Sequence, residues 1–235
     1  MKTAALLRVC LGVTFLCLLA FGAGPASAAS LTVTGYTKGE TVDVISSGYT
    51  GEVMPVEFKV ATNGATGFSY CVDLAQEIGL GSSTGWDLRT SLSDSVIRAA
   101  WLVDNFRPSF DSLVHPMSDD YSFAVTKATA IAALQVSIWE VMSEAPGDYN
   151  LYAGTFAIAD GGASAGVMNL SRDMLGQLNG ADLSNYKPDA IWAVSRTRQD
   201  QLFFSTVNPI PEPSTVALYA FGAVLVGFAL RRKLA

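Results

Sequence analysis

A cysteine at position 71 and a glutamine at position 135 are the residues whose placement asks for a chemical explanation. The chain has three cysteines. Two of them, Cys10 and Cys17, lie in an N-terminal segment that reads as a removable leader. Cys71 then has no intramolecular disulfide partner, and an unpaired thiol outside the cell is open to oxidation. The plain alternative is a buried cysteine acting as a small apolar residue. Gln135 occupies a place in a helical stripe where an apolar residue belongs, between Ile131 and Ile138. An unpaired buried amide costs about 1–3 kcal/mol, and the plain alternative is a core glutamine hydrogen-bonded to backbone. Taken together, the two side chains can remove both problems. A thiolate that attacks the glutamine carbonyl and expels ammonia leaves an internal thioester. The thiol is masked, the amide nitrogen is gone, and the acyl group is activated toward amines. Such a bond needs a pocket that keeps water away.

The elements that must hold this pair are legible as periodicities. Residues 31–34 and 54–60 alternate apolar with polar side chains, as half-buried strands do. Asn63-Gly64 is a turn signal. Residues 68–74 alternate again, with Phe68, Tyr70, Val72 and Leu74 on one face and Ser69, Cys71 and Asp73 on the other. Ser93 caps a helix that runs to Phe106 and is stopped by Pro108. A longer helix is expected over 121–144, ending at Pro146-Gly147, with Val125, Ala128, Ile131, Gln135, Ile138 and Met142 as its stripe. A weaker helix covers 167–178, after a glycine-rich loop over 161–166. Residues 190–194 and 201–207 read as a closing hairpin. Strands, then helices, then strands imply an α+β fold, an antiparallel sheet or sandwich packed with a small helical subdomain.

The residues flanking the pair carry a resemblance. Tyr70-Cys71-Val72-Asp73 resembles the aromatic–Cys–aliphatic motif of bacterial surface thioester domains. Leu134-Gln135-Val136-Ser137-Ile138-Trp139 resembles their glutamine motif, with Ser137 where that motif has alanine. The segment Ala99-Ala100-Trp101-Leu102 between them is also similar to the family. The similarity spans residues 68–142. It implies a domain at the tip of surface adhesins, known mostly from Gram-positive bacteria, in which Cys71 and Gln135 join in a self-formed thioester. An amine on a neighbouring molecule, typically from lysine, then attacks the Gln135 acyl carbon and Cys71 leaves as thiolate. The implied protein is an adhesin, not an enzyme.

Other candidates are weaker. His115 is the chain's one histidine, titrates near neutrality, and precedes Pro116 as a loop residue would. Paired with Cys71 it would make a secreted cysteine hydrolase, but no glycine-rich nucleophile turn surrounds Cys71. Asp73 shares a strand face with Cys71 and can orient a proton donor. Glu140 is expected to be solvated, and Trp101 and Trp139 to be core aromatics. A third class is a noncovalent structural protein of an exopolysaccharide matrix, with Cys71 inert.

The two ends are sorting segments. Residues 1–28 have a basic start, an apolar run and Ala26-Ser27-Ala28, the pattern of a secretory signal peptide. Residues 208–235 contain Pro211-Glu212-Pro213, an apolar run over 215–230 expected to be a transmembrane helix, and Arg231-Arg232-Lys233. That order resembles the PEP-CTERM signal, which implies processing by an exosortase and delivery to the cell surface or matrix of a Gram-negative bacterium. Between them lies an exported domain over 29–207. Five of the 15 basic residues and one of the 21 acids belong to the ends, so this domain carries net −10, against −6 for the whole chain. Such an acidic surface gives no footprint for nucleic acid. With one histidine and no calcium loop, no metal or cofactor is expected. The partners expected are an exosortase, an amine-bearing surface or matrix molecule, and the membrane before processing.

Overall fold

Residues 29–62, 65–107 and 125–205 are described by the computed structural model. Their elements in chain order are β1 (Ala29–Lys38), β2 (Val42–Ser46), β3 (Thr50–Val53), β4 (Val56–Thr62), β5 (Ala65–Cys71), β6 (Gly81–Arg89), α1 (Asp94–Phe106), α2 (Lys127–Ser143), β7 (Phe156–Ile158), α3 (Ala165–Gly180), β8 (Ala190–Val194) and β9 (Gln201–Ser205). The α+β class holds, but the main sheet is neither open nor a sandwich. Six antiparallel strands close into a barrel in the order β1-β4-β5-β9-β8-β6, and β3-β2-β7 form a separate three-stranded sheet.

Closure depends on β1. Its first residues pair with β6 and its later ones with β4, with register shifts between Ala29 and Leu31 and between Val33 and Gly35. Such bulges bend and twist a strand, which lets one strand close both edges of the sheet. Every barrel strand then sends alternate side chains inward. Leu31, Val33, Phe58, Val60, Trp86 and Phe203 fill the interior together with Cys71. The opposite face of β5 and β9, with Tyr70, Phe68 and Phe204, packs toward the helices. The stacked rings of Phe68 and Phe204 lie 5.3 Å apart on that face.

Helix α2 is the axis of the helical layer. It touches β1, β4, β5 and β7 on one side and α1 and α3 on the other. It is therefore buried all round, every residue from Thr129 to Val141, rather than along one stripe. A helix apolar on all faces belongs in an interior. Its start also differs from the expectation over 121–144. Thr126 is the N-cap and forms a capping box with Thr129, while 121–124 lie outside the described residues. Ser93 caps α1 as expected. Ser164 caps α3, so the second half of the presumed glycine loop is helix start. The Glu40 carboxylate accepts from Thr129 Oγ1 and from Ser164 Oγ, the latter at 2.6 Å. One anion thus sits at the N-terminal ends of α2 and α3, where the helix dipoles favour negative charge.

The hairpin of β8 and β9 forms as read, with Ala193 opposite Gln201. Strands β2, β3, β6 and β7 went unread. The Asn63-Gly64 turn, His115 and the segments 1–28 and 206–235 lie outside the described residues.

The β5–β9 pairing is tight at Gly67, where an added Cβ would overlap the Phe204 carbonyl oxygen and sit 2.9 Å from its carbon. Gly67→Ala is expected to destabilise the protein by about 2–3 kcal/mol. Gly35→Ala, whose Cβ would meet only Lys59 Cδ at 3.9 Å, should stay within about 0.5 kcal/mol of wild type. Urea denaturation of both variants checks this, and equal losses would contradict the packing described.

Candidate functional site

The site begins where β4 and β5 cease to pair. In the β4–β5 ladder the last pair toward the end of β5 is Phe58 with Ser69. Continued by the same register, Val56 would stand opposite Cys71, but that pairing does not form. Val72 donates its N–H toward the other neighbour, to Asp200 O at 3.1 Å, so the N–H and C=O of Cys71 point to the β4 side, where no ladder pair is made. Gln135 fills the place. Its Oε1 accepts the Cys71 N–H at 3.1 Å, and its Nε2 donates to the Cys71 carbonyl at 2.6 Å. A side-chain amide from α2 thus stands in for the peptide that β4 does not offer there. Both residues are enclosed, Gln135 at 0% exposure and Cys71 at 5%.

The expected pair is therefore brought together, across 64 positions of sequence. The Cys71 N–H on Gln135 Oε1 polarises the carbonyl that the sulfur would have to attack, as an oxyanion donor does. Ser137 Oγ donates to Ala133 O at 2.8 Å within α2.

A residue that the sequence reading passed over completes the site. Gln201 stands opposite Cys71 in the β5–β9 ladder, and its Nε2 lies 3.3 Å from Cys71 Sγ. It is fully buried. The available signal was a polar residue alternating with Phe203 on an otherwise apolar barrel face. Burial pushes the Cys71 thiol up to about 12, against the lowering effect of the Gln201 hydrogen bond and with a smaller raising effect from Asp73.

A cavity of about 630 Å³ opens at this end of the barrel. Cys71, Gln135 and Trp139 line it, and its charged lining residues are Glu52 and Glu77. Tyr36, Tyr49, Met54 and Leu80, also in the lining, are exposed at its rim. An acidic, aromatic mouth suits an approaching cation.

The other candidates fall differently. Asp73 lies beyond the end of β5. Its Oδ1 accepts from Ala75 N at 3.1 Å and its Oδ2 from Asp200 N at 2.6 Å. It clips the chain after Cys71 to the β8–β9 turn instead of orienting a proton donor. Trp139 is buried, 6.2 Å from Phe156, and Trp101 packs edge-on against Phe106 at 6.0 Å. Glu140 is not solvated but fully enclosed, because α2 has neighbours on every side. Its Oε1 accepts from Asn150 N, and burial, aided by Glu144, pushes its carboxyl from 4.5 to about 7. Among the described residues no cluster of His, Cys, Asp and Glu is placed to hold a metal ion.

Comparison with known proteins identifies one segment. The PEP-CTERM protein-sorting motif matches residues 209–233, including Pro211, Glu212 and Pro213. No curated protein and no solved structure matches the chain. The motif is the substrate signal of an exosortase, so the protein is exported and sorted toward the surface or matrix, with membrane-anchored processing at its C-terminal segment. Among the described residues no helix is long and apolar enough to cross a membrane, and the expected span over 215–230 lies outside them.

Glu140 provides a pH test of this enclosure. Unfolded, it loses its proton near 4.5; folded, near 7. Between those values the folded state holds the extra proton, so this group lowers stability progressively as pH rises through the window, and fully above it. Glu140→Gln keeps an acceptor for Asn150 N–H and removes the titration. The variant should match wild type at pH 4 and exceed it by about 3 kcal/mol at pH 8. Denaturant titrations at the two pH values check this, and a constant difference between the proteins would contradict it.

Proposed function

We propose that this exported protein forms an internal thioester between Cys71 Sγ and Gln135 Cδ and uses it to attach covalently to an amine-bearing molecule at the surface or in the matrix of a Gram-negative bacterium. The observation that carries the reading is the paired hydrogen bonding of the Gln135 amide to Cys71's own backbone, which holds the electrophilic carbon beside the residue that bears the nucleophile.

In the first step Sγ adds to Cδ, the C–N bond breaks, and Nε2 leaves as ammonia with the thiol proton. In the second an amine adds to the same carbon and the C–S bond breaks. The proton lost by the amine returns to sulfur, leaving an N-substituted amide at position 135. In both steps the Cys71 N–H can hold charge on Oε1. A thiol pushed to about 12 is a poor nucleophile for repeated turnover. Each molecule forms its bond once, however, and an attack within one molecule has a high effective concentration. The same thiol state speaks against a cysteine hydrolase, which needs an activated thiolate on every cycle. Enclosure protects the bond from water, and the cavity offers an amine its approach.

A second reading, a noncovalent structural matrix protein, is favoured by one observation. The hydrogen bonds of Gln135 already satisfy both ends of its amide, so a core glutamine would be at home there.

Intact mass separates the two. The purified exported protein is expected to weigh one ammonia less than its sequence. The deficit should vanish in Cys71→Ala and in Gln135→Ala, and methylamine should add to wild type alone. A wild type of full mass with a titratable thiol would favour the structural reading.

A further inference from the structure

We propose that Gln201 is the group that stabilises the Cys71 sulfur as it gains negative charge, both when the thioester forms and when an amine opens it. The proposal rests on the thioester reading given above.

Strand register sets the contact. The N–H and C=O of Cys71 point away from β9, so Cys71 and Gln201 form a non-hydrogen-bonded cross-strand pair, in which side chains come closest. The Gln201 amide has a determined orientation. Its Nε2 donates to the carbonyls of Asp200 at 3.1 Å and Gln199 at 3.3 Å, while Oε1 accepts from Ser69 Oγ at 2.9 Å. Turned over, the amide would set its oxygen against two carbonyl oxygens and its nitrogen against a hydroxyl that then has no acceptor. The NH2 group is therefore the end turned toward Sγ, at 3.3 Å, and its two hydrogens are shared among the sulfur and the two carbonyls.

The placement separates two roles for two glutamines. Gln135 lines the cavity together with Cys71, so an incoming amine can reach its carbon; Gln201 is not part of that lining. Gln201 approaches the sulfur from within the barrel and leaves the cavity side open. Its hydrogen bond is worth more to a thiolate than to a neutral thiol or a thioester sulfur. It therefore favours the charged moments of both steps over the states before and after them. An amide does not titrate, so the donor is present at every pH. Asp73, on the chain beyond β5, opposes a thiolate, and the charged groups of the cavity lining, Glu52 and Glu77, are acidic as well. Ser69, which touches no reacting atom, is a positioning residue for Gln201.

Two measurements test the proposal. In Gln135→Ala, where no thioester can form, alkylation of Cys71 by iodoacetamide across a pH series reports the thiol pKa. Adding Gln201→Met, similar in size and without a donor, should move that profile up by about one pH unit. Ser69→Ala, which only loosens the Gln201 amide, should move it less and in the same direction. In the otherwise wild-type protein, Gln201→Met should slow methylamine uptake about tenfold or more, with the methylamide still found at position 135 by peptide mapping. Uptake slowed without a shift of the alkylation profile in either variant would overturn the proposal, as would a methylamide at position 201. A wild type that has lost no ammonia overturns the thioester reading and this role with it. Ammonia loss with unchanged profiles overturns this role alone. If Gln201→Met does not fold, the Ser69→Ala profile in the same background decides, and its identity with that of Gln135→Ala alone would sink the proposal.

Discussion

Strands β4 and β5 stop pairing beyond Phe58 and Ser69, although β4 continues to Val56 against β1, and the buried N–H and C=O of Cys71 must find another partner inside the protein. A buried peptide group left unpaired is costly, and β4 makes no ladder pair with β5 at that height. The amide of Gln135 is the answer the fold provides, and much else follows from it. Helix α2 must cross the barrel at the height of Cys71 with position 135 turned toward the gap. It is held there at its start by the capping box at Thr126 and by Glu40, which joins it to the cap of α3. Along its length it is held by neighbours on every side. A helix so enclosed cannot rotate by one residue without burying Glu140 or Ser137 against the wrong partner.

The same enclosure sets the chemistry. Water kept from Cys71 cannot hydrolyse a bond formed there, but neither can it solvate a thiolate, and the thiol rises to about 12. A donor that carries no charge of its own is the inexpensive compensation in such a place. A buried lysine or histidine would itself need a counter-ion, whereas the Gln201 amide is completed by Ser69 and two backbone carbonyls. The acids around the cavity act on a different object. Glu52 and Glu77 stand in the lining, where they can draw a cation in without being desolvated at the sulfur.

What the sequence made legible was local. Alternation over 68–74 placed Cys71 and Tyr70 on opposite faces, and they do lie in separate cores. The helical spacing around Gln135, the cap at Ser93 and the closing hairpin were also readable, because each is written in adjacent residues. Barrel closure was not, since it depends on β1 dividing its length between β4 and β6 through two register shifts. Strand β6 begins Gly81-Ser-Ser-Thr-Gly and has no apolar alternation to show, and β7 has only three residues. Glu140 was read as solvated because one face of α2 was assumed to be free. The role of Gln201 needed the register of β5 against β9, which no single segment contains.

Strand direction adds a last constraint, linking the site to the way the protein is sorted. β5 runs toward Cys71, and antiparallel β9 starts opposite it at Gln201 and runs away to Ser205, which pairs with Gly67. At about 3.3 Å per residue, the chain leaves β9 roughly 13 Å from the site, toward the far end of the barrel. β1 has the same polarity in reverse. Its Tyr36 end pairs with Phe58 beside the cavity, while Ala29 lies with Trp86 at the other end. Both ends of the described domain therefore emerge away from the cavity mouth. The sorting motif at 209–233 follows β9 within a few residues, so an anchor there holds the domain by the end opposite Cys71. Attachment through the cavity, as proposed, would need that polarity, and here it is a consequence of strand order alone.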